Sequence, residues 1–268
     1  MKPILPFLTA ALFAAGSLSA QVLLNENFNY ADGPLTNVSG QAWVIHSGTI
    51  SINVSGGAAV IDQNDTAGGR EDVNRLLSTS FNASTDNTST IYGAFTINYS
   101  SLPVTGDSDG SYFAHLKSSV ANQFYARIGA TTSGAAAGTF RLNVANESWN
   151  VANTVEFAQD LSLNTTYQVV FRYDLANDRT TLWIDPTDES STSVTALDAV
   201  TYGGGELINS YALRQGTSGT GAPGDLFLDN LIVGQTFADV TAIPEPSTYA
   251  FIGMGLAALW LVNRRRRA

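Results

Sequence analysis

The sequence predicts an all-β protein, a two-sheet antiparallel sandwich or a barrel, with a signal helix before it and a single transmembrane helix after it. Three observations carry this. Short apolar runs recur between clusters of Gly, Ser and Asn. Helical periodicity is almost absent after Ala20 until the final apolar segment. And TYQVVFRYDLANDRTTLWIDP reads as a complete hairpin. Its first half puts Tyr167, Val169, Phe171 and Tyr173 on one face by period two. Asp174 to Asp178 makes the turn, where Asn177 takes a left-handed conformation cheaply. The return strand sets Leu182 and Ile184 against Trp183, and Pro186 ends it.

In chain order, residues 1–20 form a signal peptide. Lys2 is followed by an apolar run from Ile4 to Ala15 and then by small residues. The run is shorter than the roughly 20 residues that cross a bilayer. The cut is expected between Ala20 and Gln21, and Leu18 leaves a site one or two residues earlier open. Residues 21–237 form one β-sandwich domain, a size that all-β domains reach undivided. Within it the expected strands lie in VLLNENF, AWVIH, TISINV, AAVID, STIYGAFTINYS, GSYFAHLK, NQFYARIGA, TFRLNV, the hairpin, and DLFLDNLIVG. The last is apolar on both parities apart from Asp229 and Asn230, so a bulge is expected there. The first and last strands are of the kind that pair in sandwiches. Residues 238–246 form a linker. Residues 247–263 are the transmembrane helix, and 264–268 are a basic cytoplasmic tail. Positive charge resists translocation, so the body lies outside and the arginines inside.

There is no cysteine, so packing alone stabilises the body. The chain has 13 Lys+Arg and 23 Asp+Glu; without Lys2, the four tail arginines and Glu245, residues 21–243 keep 8 and 22, a net charge of −14. That balance argues against nucleic acid as a partner, because phosphates need cations. It suits a solvated extracellular surface.

Pro244-Glu245-Pro246-Ser247, an apolar helix and then Arg264, Arg265, Arg266 and Arg267 at the extreme C-terminus resemble the PEP-CTERM sorting signal. The resemblance implies a Gram-negative bacterium that makes exopolysaccharide. It also implies an exosortase-like membrane protease as partner, which processes the tail. The protein is then expected first as an inner-membrane-anchored intermediate, later at the cell surface or in the extracellular matrix. The body resembles concanavalin A-like jelly rolls, laminin-G-like modules among them, on the hairpin and on DLFLDNLIVG. Those motifs encode pleated packing and not chemistry.

Catalytic equipment is sparse. Glucanases of this fold carry carboxylates alternating along one strand, and no such run occurs here. Glu156 with Asp160, and Asp185 with Asp188 and Glu189, read as solvated acids. The two histidines, His46 and His115, sit in ordinary strand contexts, and neither H-E-x-x-H nor G-x-S-x-G is present. No enzyme activity and no cofactor are expected. Asp107 and Asp109, in TGDSDGS, are a fragment of a calcium loop that lacks its bidentate acid, and equally a hairpin turn. Trp43, Trp149 and Trp183 are the candidates for stacking a sugar ring, with Tyr112 and Tyr125 beside them; each is also a candidate core aromatic. The expected role is a structural, non-enzymatic component of the surface or exopolysaccharide matrix. The alternatives are a lectin-like glycan-binding module, calcium-assisted or not, and a polysaccharide-cleaving enzyme.

Overall fold

The structure is a computed structural model. It describes residues 21–62, 69–86, 88–103, 112–150, 152–198, 207–215 and 224–241. The signal peptide with Ala20, the Asp107 and Asp109 loop, the Pro244–Ser247 motif, the expected transmembrane helix and Arg264 to Arg267 lie outside them. Among the described residues, no helix is long and apolar enough to cross a membrane.

The described strands run β1 (Val22–Glu26), β2 (Gly33–Pro34), β3 (Val44–Ser47), β4 (Asn53–Ser55), β5 (Ala58–Ile61), β6 (Asp72–Asn82), β7 (Thr90–Tyr99), β8 (Tyr112–Lys117), β9 (Phe124–Thr131), β10 (Thr139–Ala145), β11 (Val155–Glu156), β12 (Leu161–Ser162), β13 (Thr166–Asp174), β14 (Arg179–Ile184), β15 (Ser193–Ala196), β16 (Leu207–Arg214) and β17 (Leu226–Gly234). Two one-turn helices join them, α1 (Leu35–Val38) and α2 (Phe237–Thr241). They form two antiparallel sheets, as expected. The first has the order β15-β14-β13-β7-β17-β5-β4-β2, with β1 paired to β17; the second has the order β11-β10-β9-β8-β16-β6-β3, with β12 paired to β10.

The terminal strands pair with each other, Leu24 with Val233 and Glu26 with Leu231. The bulge expected in the last strand is present: register shifts between Asp229 and Ile232, and Asn230 takes φ 54°. The hairpin pairs Val169 with Ile184 through Asp174 with Arg179. Its turn departs from expectation in one detail. The left-handed residue is Asp178, at φ 46°, and not Asn177. The Asn177 side chain is engaged elsewhere, donating to Asp174 Oδ2 at 2.8 Å.

Between the sheets lies one continuous core. Rings bridge it: Phe95 meets Phe113 at 6.1 Å between centroids, Phe171 stacks on Tyr211 at 6.0 Å, and Tyr125 meets Tyr173 at 5.5 Å. Such offset and edge contacts are the favoured aromatic geometries. A second, smaller cluster covers the outer face of the first sheet. There Phe237 and Val240 of α2 pack on Tyr92, Ala94, Val170 and Trp183. The described chain therefore ends on the outside of the first sheet. The outer face of the second sheet is built differently.

Candidate functional site

Strand β8 sends Phe113 and Leu116 into the core. Strict alternation would then put Tyr112 and His115, three residues apart, on opposite faces. Two register shifts, between Tyr112 and Ala114 and between Ala114 and Leu116, bring both to the outer face. Their rings meet edge to face at 5.0 Å. In β9 the left-handed Ala126, at φ 50°, does the same for Phe124 and Arg127. Tyr125 between them points into the core.

Six strands and one loop contribute to this face. Arg127 from β9 and Arg214 from β16 lie on the Tyr112 ring, at 4.8 and 4.7 Å from its centroid. Arg127 also lies 4.9 Å from the Phe124 ring. His46 of β3 meets His115 edge on at 6.4 Å. Trp149, following β10, approaches Tyr112 at 5.4 Å and covers Gly129, where a Cβ would stand 2.3 Å from the indole. Glycine is required there so that the indole can lie down on the sheet. Asn74 and Asp72 come from β6, Asn143 from β10 and Lys117 from β8.

The face is cationic in an acidic protein. Three of the body's 8 Lys+Arg residues converge on it. Asp72 answers weakly, 3.9 Å from Arg214 and held by the Ser47 hydroxyl at 2.8 Å. Lys117 donates to the carbonyl of Ser118. His115 is wholly buried, yet among the described residues neither ring nitrogen has a hydrogen-bond partner. His46 Nδ1, Trp149 Nε1, Arg127 Nε, Asn143 Oδ1 and Asp72 Oδ1 are likewise unpartnered. Each unmet buried group costs about 1–3 kcal/mol, so the cluster is a local loss of stability.

Burial, then the charges of Arg127, His46, Arg214 and Lys117, holds His115 well below the usual histidine range. Burial, then Lys117, brings His46 down to about 4, against a hydrogen bond with Asn74. Burial raises Asp72. Both histidines are therefore neutral at pH 7 in the folded protein. The unfolded chain takes up their protons first, near pH 6.5. Their contribution is complete above that pH and is lost as pH falls toward the folded values. Glu71 and Asp72, raised by burial, oppose the trend at the low end. Between pH 7 and 5 the melting temperature is expected to fall by roughly a few degrees. His46→Gln should flatten that slope in scanning calorimetry; an unchanged slope would remove His46 as its source.

The sequence-derived sugar-stacking candidates separate here. Trp43 has no exposed surface, stacks on Phe28 at 5.8 Å and donates its indole N–H to Glu26 at 3.0 Å. Trp183 is 2% exposed, with Phe237 against it at 5.8 Å and Arg172 over its ring. Neither offers a face to a ligand. Tyr125 is core. Trp149 and Tyr112 are brought together at the site. The two histidines, read as ordinary strand residues in the sequence, stand at its centre, with Arg127, Arg214 and Lys117 beside them. Glu156 and Asp160 both pair with Arg141 at the sheet edge. No group of three or more His, Asp or Glu that could hold a metal occurs among the described residues. A cleft of about 290 Å³ between Leu102, Pro103 and the Thr132–Thr139 segment carries no ionisable side chain.

The tail is decided by direct comparison. Residues 242–267 match the PEP-CTERM protein-sorting motif. The protein thus bears an export and sorting signal of the kind that exosortase-type enzymes process. No curated protein matches the chain. Solved structures similar to it include an alginate lyase of polysaccharide lyase family 7, at 13% identity over 81% of this chain and 95% of that one, TM-score 0.43. They also include a Lotus tetragonolobus seed lectin, at 9% identity over 80% and 98%, TM-score 0.45. A third is the CBM2 module of a Lactobacillus casei phage J-1 evolved Dit protein, at 10% identity over 80% and 95%, TM-score 0.46. Likenesses this loose say nothing about what this chain binds.

Proposed function

We propose that this PEP-CTERM protein is a component of the cell surface or exopolysaccharide matrix that holds polysaccharide on the outer face of its second sheet, without cleaving it. The observation that carries the reading is the Tyr112 platform. Two guanidiniums and an indole surround one tyrosine ring above a buried histidine with both nitrogens unmet. Trp149, half-buried beside Tyr112, offers the aromatic face that stacks on a sugar ring, and the fixed polar groups around it give the site its orientation. Polysaccharide hydrolysis by paired carboxyls needs two of them, about 5–9.5 Å apart across a groove. Asp72 is the carboxylate that the cluster contributes, which favours binding over hydrolysis. The surface of a Gram-negative bacterium, reached through an inner-membrane intermediate, is the setting that the sorting signal supports.

The test is calorimetric titration of the protein with the producer's own exopolysaccharide. Saturable binding is expected, weakened about tenfold or more by Tyr112→Ala, a loss of about 1.4 kcal/mol. Absence of binding would return the body to a purely structural role. A calcium-assisted form of the reading places the ion at Asp107 and Asp109; loss of binding with chelator would select it.

A further inference from the structure

We infer that the sugar taken by this face is acidic, its anionic group received between Arg127 and Arg214 beside Tyr112 and His115. This rests on the polysaccharide-binding reading and names the class of ligand within it.

Charge placement is the first ground. The body carries 22 acidic against 8 basic residues, so a face with three cations and one loosely paired carboxylate is a local reversal. Both guanidiniums approach one ring centroid within 4.8 Å, which holds their carbons within 9.6 Å of each other. They arrive from β9 and β16, the strands on either side of β8. Like charges drawn together on a sheet face repel, and the quadrupole of Tyr112 offsets this only in part. An anion that bridges the exposed parts of the two guanidiniums removes the repulsion.

Burial is the second ground. His115 and Lys117 are 0% and 3% exposed, and burial lowers the pKa of each. A desolvated lysine and a neutral imidazole lower the local screening beside the two partly exposed arginines, where a charge-assisted hydrogen bond gains strength. The acidic remainder of the body does not cancel this. At physiological salt its charges beyond about 8 Å are screened, and the contacts at the face decide. A neutral sugar would leave Arg127 without a counter-charge and Arg214 with only the loosely paired Asp72. Carboxylated and sulfated sugars share the required chemistry.

The experiment uses the full chain in mild detergent. The probes are polygalacturonate, the same polymer methyl-esterified, and dextran sulfate, each titrated by calorimetry. Polygalacturonate, dextran sulfate or both are expected to bind at least tenfold more tightly than the methyl ester, and which of them binds identifies the anion. The double variant Arg127→Gln/Arg214→Gln should lose most of that preference, and Arg127→Lys should keep part of it. Near-ultraviolet circular dichroism of each variant separates lost binding from lost fold. Equal binding of the esterified and free polymers, abolished by Tyr112→Ala, would overturn the acidic class while leaving the polysaccharide face intact. A preference that survives the double arginine variant in a folded protein would overturn the seat assigned to the anion. No binding of any probe, nor of the producer's exopolysaccharide, would overturn both readings together.

Discussion

Glu26→Ala is expected to lower the melting temperature by roughly 10 °C or more. Glu26 ends β1 and is 3% exposed. One carboxylate oxygen accepts the backbone N–H of Phe28 at 2.7 Å. The other accepts from the Tyr30 hydroxyl at 2.8 Å, the Trp43 indole at 3.0 Å and the Arg75 guanidinium. Alanine would leave these donors facing a hole. Removing one partner of a buried ion pair costs about 3–5 kcal/mol, because the other is left uncompensated. The unmet indole N–H adds to that, whereas Arg75, a quarter exposed, recovers some hydration. Glu26→Gln keeps one acceptor oxygen and should lose less than half as much. Thermal unfolding followed by circular dichroism measures both. A Glu26→Ala melting point within a degree or two of the parent would mean that the three segments around Glu26, Trp43 and Arg75 are held together by something else.

Gly93→Ala is expected to destabilise the sandwich by about 1–3 kcal/mol, and Phe171→Leu to relieve part of that loss. Gly93 lies in β7 opposite Phe171 of β13, at the middle of the first sheet. The Phe171 ring occupies the space a side chain at Gly93 would fill: a Cβ there would stand 2.2 Å from Cε1. The ring cannot retreat, because its far face stacks on Tyr211 of the opposite sheet. A methyl group at position 93 therefore pushes a bridging ring into a close-packed interior. Shortening Phe171 to leucine costs stability alone but makes room for the alanine. The double variant should be more stable than the sum of the two single losses, by a coupling of about 1 kcal/mol. Strict additivity in urea unfolding would sink the account of Gly93 as the space for that ring.

Much of the fold was legible because the hairpin strands of the first sheet, β13 and β14, obey simple alternation. Tyr167 to Tyr173 and Leu182 to Ile184 take the faces that their parity assigns. The pairing of first and last strands, and the irregularity at Asp229-Asn230, also follow from local pattern. Two central strands of the second sheet were not legible. β6 reads DVNRLLSTSFN, and its pairing skips from Leu76 to Phe81 while β16 moves from Ser210 to Ile208. That insertion breaks any period-two reading, and LINSYALR places Asn and Ser, poor strand formers, at its centre. The site was hidden by the same device. Tyr112 and His115, and Phe124 and Arg127, share a face only because bulges shift their parity. A residue count along the strand puts each pair on opposite sides. The available signal was compositional and weak: three of the acidic body's 8 cations fall in the strands around two histidines.

The sorting tail depends instead on linear order, so its Pro-Glu-Pro, apolar run and arginines were readable without any fold. Where the chain joins that tail has a consequence for presentation. α2 is fastened to the outside of the first sheet by Phe237 and Val240, and the face proposed to hold polymer is the outside of the second. The whole thickness of the sandwich, about 10 Å between sheets, separates leash from grip. A molecule still tethered by its C-terminus would thus turn its grip away from the anchoring point. It could catch a strand of matrix before it is released, and cutting the leash would free a protein already carrying its cargo.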